Sequence, residues 1–169
     1  MEATRGVIVC GVDGSPAGQR ALQWAVDEAV KRGAEVHAVT AWSWDGLEEL
    51  NAPSSPAQAM GRARRVLDTA VDEVLDGVEG GPLVTRICER GEPTEVLASA
   101  AAGADLLILG SHGHGTVHDK LLGSTSERTV HHAPCPVVIV PDPRLVAKNL
   151  KRLEERQRRA EATRPVPAV

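Results

Sequence analysis

Residues 105–140 read DLLILGSHGHGTVHDKLLGSTSERTVHHAPCPVVIV, and their pattern decides the fold. Asp105 to Leu109 is a compact apolar run closed by Gly110, too short for a helix and suited to a buried central strand. Pro136 to Val140 is a second such run, rich in β-branched residues. Between them, Gly123-Ser124-Thr125-Ser126-Glu127 has the small and hydroxylated residues that start a helix, predicted to end near Ala133. Two buried strands joined through a loop and a helix form a parallel crossover.

The same punctuation extends toward the N-terminus. Gly6 to Val12 (GVIVCGV) predicts a buried strand. Ser15 is placed to cap the next helix and Pro16 to open it. Ala21, Leu22, Ala25, Val26, Ala29 and Val30 then recur at helical spacing, and Gly33 ends the run. Glu35 to Trp42 predicts the second strand, Ser43 to Ala57 a long polar loop, and Pro56 to Asp76 a helix. Leu83 to Glu89 alternates, with Leu83, Thr85, Ile87 and Glu89 on one face, and predicts an edge strand less buried than the first. Pro93 opens a helix through Ala102. The order is β-α-β-α-β-α-β-α-β, which predicts a single doubly wound α/β domain with a parallel sheet.

Composition agrees with a core built from aliphatic side chains. The chain of 169 residues has no Phe or Tyr and three Trp (Trp24, Trp42, Trp44), so Val, Leu, Ile and Ala must fill the interior. The net charge of −4 gives no global case for nucleic acid or an anionic membrane as partner. It is unevenly placed: from Arg144 onward eight Lys/Arg face three Glu, a net of +5, which leaves −9 on the rest. The organisation expected is a domain over residues 1–143 and a basic tail over 144–169. In that tail Arg144 to Ala162 predicts a charged helix with a thin stripe of Leu145, Leu150 and Leu153, and Arg164 to Pro167 predicts disorder. Cys10, Cys88 and Cys135 are odd in number and form no C-x-x-C pair. Cys10 and Cys135 adjoin apolar runs and are expected to be buried free thiols, which suits a reducing compartment. No signal segment or membrane span is evident, so a cytoplasmic location is expected.

In a doubly wound sheet, ligands bind at the carboxyl ends of strands where the strand order reverses. Two such ends stand out, Val12-Asp13-Gly14-Ser15 and Leu109-Gly110-Ser111-His112-Gly113. Gly110 and Gly113 let a ligand approach the backbone, and the amides at Gly123 to Ser126 offer an anion site at a helix start. The segment Gly110 to Ser126 is not a Walker A loop, since it has no Gly-Lys-Ser/Thr. Nor is it G-x-G-x-x-G: after Gly113-His114-Gly115, His118 stands where the third Gly would fall. The plainer alternative is that these glycines make turns and that Ser124 caps a helix; for Asp13, it is that Asp13-Gly14 is a turn pair. The spacing His112-x-His114-x3-His118 fixes no tetrahedral constellation, so no metal site is expected.

The spacing Gly110-x2-Gly113-x9-Gly123-Ser124 resembles the nucleotide-binding signature of the universal stress protein family. Residues 6–29, GVIVCGVDGSPAGQRALQWAVDEA, are similar to that family's opening strand and helix, and residues 105–140 to its closing half. The resemblance covers about residues 5–141 and leaves the basic tail outside. It implies a five-stranded, Rossmann-like parallel sheet in the order 3-2-1-4-5, and frequent homodimers. It further implies that Gly110, Gly113, Gly123 and Ser124 contact ribose and phosphates and that Thr125 and Ser126 lie at the phosphates. Asp13 is implied near base and ribose, with Val12, Leu109, Thr40 and Ala41 lining the adenine pocket and His112 beside it.

Three functions follow as expectations. The first is an ATP-binding module in stress response or signalling, whose ligand changes conformation or dimer contacts for a protein partner of unknown identity. Mg²⁺ would enter with the triphosphate; Asp13 is a carboxylate for it, without a clear second. The second is a slow ATPase, for which the loop offers His112, His114 and Lys120 but no recognisable catalytic arrangement, so no catalytic residue is assigned. The third is a nucleotide-independent scaffold, pairing with a second copy along Pro136 to Val140.

Overall fold

The computed structural model describes residues 5–44, 55–113 and 122–162. The elements are β1 (Val7–Gly11), α1 (Pro16–Arg32), β2 (Glu35–Trp42), α2 (Pro56–Leu75), β3 (Val84–Arg90), α3 (Pro93–Ala100), β4 (Leu106–Gly110), α4 (Ser124–His132), β5 (Val137–Val140) and α5 (Pro143–Ala162). The five strands form one sheet in the order β3-β2-β1-β4-β5, and every neighbouring pair is parallel. This is the doubly wound α/β fold, and its order reverses between β1 and β4.

The period of two along each interior strand divides the core between two faces. Ile8 and Cys10 of β1, Val36 and Ala38 of β2, and Leu106 and Ile108 of β4 point to one face, where α1 and α2 cover them. Val9, Val39, Leu107 and Leu109 point to the other, against Val96, Leu97 and Ala101 in and just after α3. Fully burying side chains such as Leu107 or Ile108 is worth roughly 1.5–3 kcal/mol each, which is why the interior strands read as unbroken apolar runs.

Local signals place the ends of α1. The Ser15 hydroxyl accepts the Gly18 amide at 3.0 Å, Pro16 occupies the first turn, and Gly33 closes the helix at φ 64°. At α5, Asp142 Oδ1 accepts the Arg144 amide at 2.8 Å, and the Asp142 amide donates to Ser111 Oγ at 3.1 Å. The Arg20 guanidinium faces the Asp142 carboxylate at 3.4 Å. The start of α5 is thereby tied to α1 and to the loop after β4.

The edges of the sheet bear on two expectations. β3 is the edge strand its alternation suggests: Leu83, Thr85 and Glu89 are exposed, Ile87 packs on their face, and Val84 and Cys88 pack on the other. Cys135 is half-buried, unlike Cys10, because it precedes the outer strand β5 and not an interior one. On α5, Val146, Leu150 and Leu153 are exposed, and the Leu145 side chain lies outside the described residues. Most of the expected loop, residues 45–54, and the expected disorder at Arg164 to Pro167 lie outside the described residues. No described helix is long and apolar enough to cross a membrane.

Candidate functional site

The strand-order reversal leaves a crevice above the carboxyl ends of β1 and β4. A cavity of about 860 Å³ occupies it, within the range of small-molecule sites. All twelve residues singled out from the sequence line it: Val12, Asp13, Thr40, Ala41, Leu109, Gly110, His112, Gly113, Gly123, Ser124, Thr125 and Ser126. They come from four separated segments, which the parallel sheet and the start of α4 bring together.

The glycines serve different ends. A Cβ on Gly110 would sit 2.6 Å from the carbonyl carbon of Ala17 and 2.9 Å from the Gly18 amide nitrogen. Gly110 is therefore required by the close approach of α1, in addition to facing the cavity. A Cβ on Gly113 would meet only the Asp13 carboxylate, at 2.5 Å from Oδ2. Gly123 donates its amide to the Ser111 carbonyl at 2.7 Å, and a Cβ there would stand 3.4 Å from the His112 Cα. That bond folds the start of α4 back over the strand-end loop.

Some hydroxyls expected at a ligand hold the frame as well. Thr40 Oγ1 donates to the Val12 carbonyl at 2.7 Å and fastens the ends of β1 and β2. Ser126 Oγ donates to the Gly110 carbonyl at 2.8 Å and fastens α4 to β4. Ser124 is exposed and Thr125 half-buried at the mouth. Helix α4 begins at Gly123 without a side-chain cap, and its first turn, with the positive end of the helix dipole, lines the cavity.

Asp13 accepts the Ser15 amide at 2.9 Å, an Asx-type turn that aims its second oxygen along the loop at Gly113. His112 is buried and pairs Nδ1 with Ser111 Oγ at 3.0 Å; Ser111 Oγ in turn accepts the Asp142 amide. The backbone carbonyl of His112 accepts the Ser15 hydroxyl at 3.3 Å. Beneath the site, burial pushes the Cys10 thiol far above its usual range, with the charge of Asp13 adding, so Cys10 is a neutral core side chain.

The opposite wall was not legible in the sequence. Ala59, Arg62, Ala63 and Val66 of α2 and Pro93 and Leu97 of α3 also line the cavity. Their places depend on how α2 and α3 pack on the sheet, which no local motif encodes. Among the described lining residues, Asp13 and Arg62 carry the formal charges. Trp42 is not among the lining residues; its ring lies under the Arg90 guanidinium, 5.7 Å from the centroid. His114, His118 and Lys120 lie outside the described residues. Among the described residues, no group of three His, Cys, Asp or Glu is arranged to hold a metal ion.

Comparison with known proteins adds the lineage. The model of the universal stress protein family matches residues 4–141. The chain belongs to the universal stress protein family. A relative, universal stress protein Rv2005c of Mycobacterium tuberculosis, is 35% identical over 135 residues, covering 78% of this chain and 44% of that protein. The chain thus spans about half the length of the curated relatives it matches first. Universal stress protein UspA from Lactobacillus plantarum superposes with a TM-score of 0.66 at 25% identity, covering 82% of this chain and 99% of that one. A universal stress protein solved in complex with cAMP superposes at 0.61 with 23% identity, covering 82% and 98%. At that identity the second likeness speaks for the fold.

Proposed function

We propose that the cavity binds an adenine nucleotide, ATP in the first instance, and that the protein is a nucleotide-dependent module of stress response or signalling in the cytoplasm. One observation carries the reading: the uncapped N-terminus of α4 and an apolar slot of Val12, Val39 and Leu109 line the same switch-point cavity. A flat, mostly apolar base suits the slot, and phosphate oxygens suit helix amides with a positive dipole end. Proteins of this fold accept such ligands, cAMP in one solved member and dAMP in another. Gly110, Gly113, Gly123 and Ser124 are proposed at ribose and phosphates, Thr125 and Ser126 at the phosphates, and Asp13 and His112 near ribose and base. Mg²⁺ would arrive on the triphosphate.

Ligand binding acts through the loop between Gly110 and Ser126 and shifts conformation or dimer contacts for a protein partner to read. Two copies are proposed to pair along β5, the outer strand whose free edge is half-exposed. Binding is proposed, and hydrolysis is not: His112 Nδ1 is engaged by Ser111, and the other candidate groups lie outside the described residues.

Equilibrium titration with ATP tests this reading. Wild type is expected to bind saturably, and both variants to lose at least about tenfold, roughly 1.4 kcal/mol, Gly113→Ala by displacing the Asp13 carboxylate and Gly123→Val by intrusion at the phosphate approach. Equal affinity in all three proteins would remove the proposal.

A further inference from the structure

Helix α5 presents an apolar seam that the rest of the described chain does not cover. Val146, Leu150 and Leu153 are 39%, 55% and 53% exposed, along a helix of 20 residues. Helices in proteins draw most of their stability from packing an amphipathic face, so an uncovered seam calls for a partner. The spacing says which kind. Positions 146, 150, 153, 157 and 160 advance by four and three in turn, holding Val, Leu, Leu, Gln and Ala. That is the 3.5-residue repeat of a two-stranded coiled coil, with Val146 and Leu153 at d, Leu150 at a, and Gln157 as a polar a position.

The charges flanking the seam agree with one geometry. Heptad lettering puts Arg156 at g and Glu161 at the e position that follows it. In a parallel pair, g of one chain faces the following e of the other, so opposite charges meet twice per dimer. Lys148, Lys151, Arg152, Arg158 and Arg159 fall at b, c and f, on the outside, where like charges of two chains stay apart. Asp142, anchored to Ser111 and facing Arg20, fixes where the helix leaves the body.

We infer that α5 pairs with α5 of a second copy of this chain as a short parallel coiled coil. The seam packs side chains, unlike the main-chain edge of β5, and so is a separate interface. It is independent of what the cavity binds.

Disulfide trapping in the full chain tests it. Val146→Cys, at d near the start of the helix, is expected to cross-link to itself under mild oxidation about tenfold faster than Lys151→Cys on the outer face, through high effective concentration. Only parallel, in-register pairing brings residue 146 against its copy. The parent protein controls for Cys10, Cys88 and Cys135. Adding Leu150→Glu should abolish the fast cross-link while leaving the sheet's thermal transition in place. Equal rates at the two positions, no cross-link at either, or monomers that instead bind anionic phospholipid vesicles would overturn the inference.

Discussion

Gly110 and Gly113 are three positions apart and face the same cavity, yet they are glycine for different reasons. At Gly110 the obstacle to a Cβ is the backbone of α1, which cannot move without unseating the helix. At Gly113 the obstacle is the tip of Asp13, which can rotate away. Gly110→Ala is therefore expected to cost about 1–3 kcal/mol by overpacking, and Gly113→Ala less than about 1 kcal/mol, read from chemical-denaturation midpoints. Indistinguishable midpoints would contradict the division. Both glycines were visible in the sequence as part of one signature. That one of them is spent on helix–strand packing was not, because it depends on how closely residues 17 and 110 approach.

At the scale of elements, interior strands were the most legible, since burial on both faces writes an unbroken apolar run. β3 was recognisable as an outer strand because its alternation carries polar residues that an interior strand would not. On α2, Arg62 and its neighbours were overlooked because a helix's rotation on the sheet leaves no local mark. The start of α5 yields a pH prediction. The Arg144 backbone amide, then the Arg144 and Arg20 side chains, hold the Asp142 carboxyl below its ordinary value, against some desolvation. A lowered folded value means stabilisation that is present above the unfolded value of about 3.9 and is lost as pH falls through the folded one. Asp142→Ala should thus remove roughly 1 kcal/mol of capping at neutral pH, seen as reduced far-ultraviolet helical signal. The gap from wild type should narrow in acid, as pH falls below the unfolded value and through the lowered folded one. A gap that persists undiminished in acid would assign the loss to something other than the charged cap.

For the whole molecule, topology does what no single motif can. The reversal between β1 and β4 gathers Asp13, Thr40, Gly113 and Ser124 from four segments around one cavity, and the uncapped α4 sets its polarity. The family resemblance supplied the strand order in advance; composition and spacing alone gave only the α/β class. The central claim is that an adenine nucleotide occupies this cavity with its phosphates at α4. The most direct measurement is a two-dimensional amide spectrum of the ¹⁵N-labelled protein during titration with ATP. The account predicts saturable shifts at Gly113 and at Gly123 to Ser126, with Gly77 and Gly80, in the turn after α2, unmoved. Unchanged spectra at millimolar ATP, or shifts that leave the α4 N-terminus untouched, would contradict it.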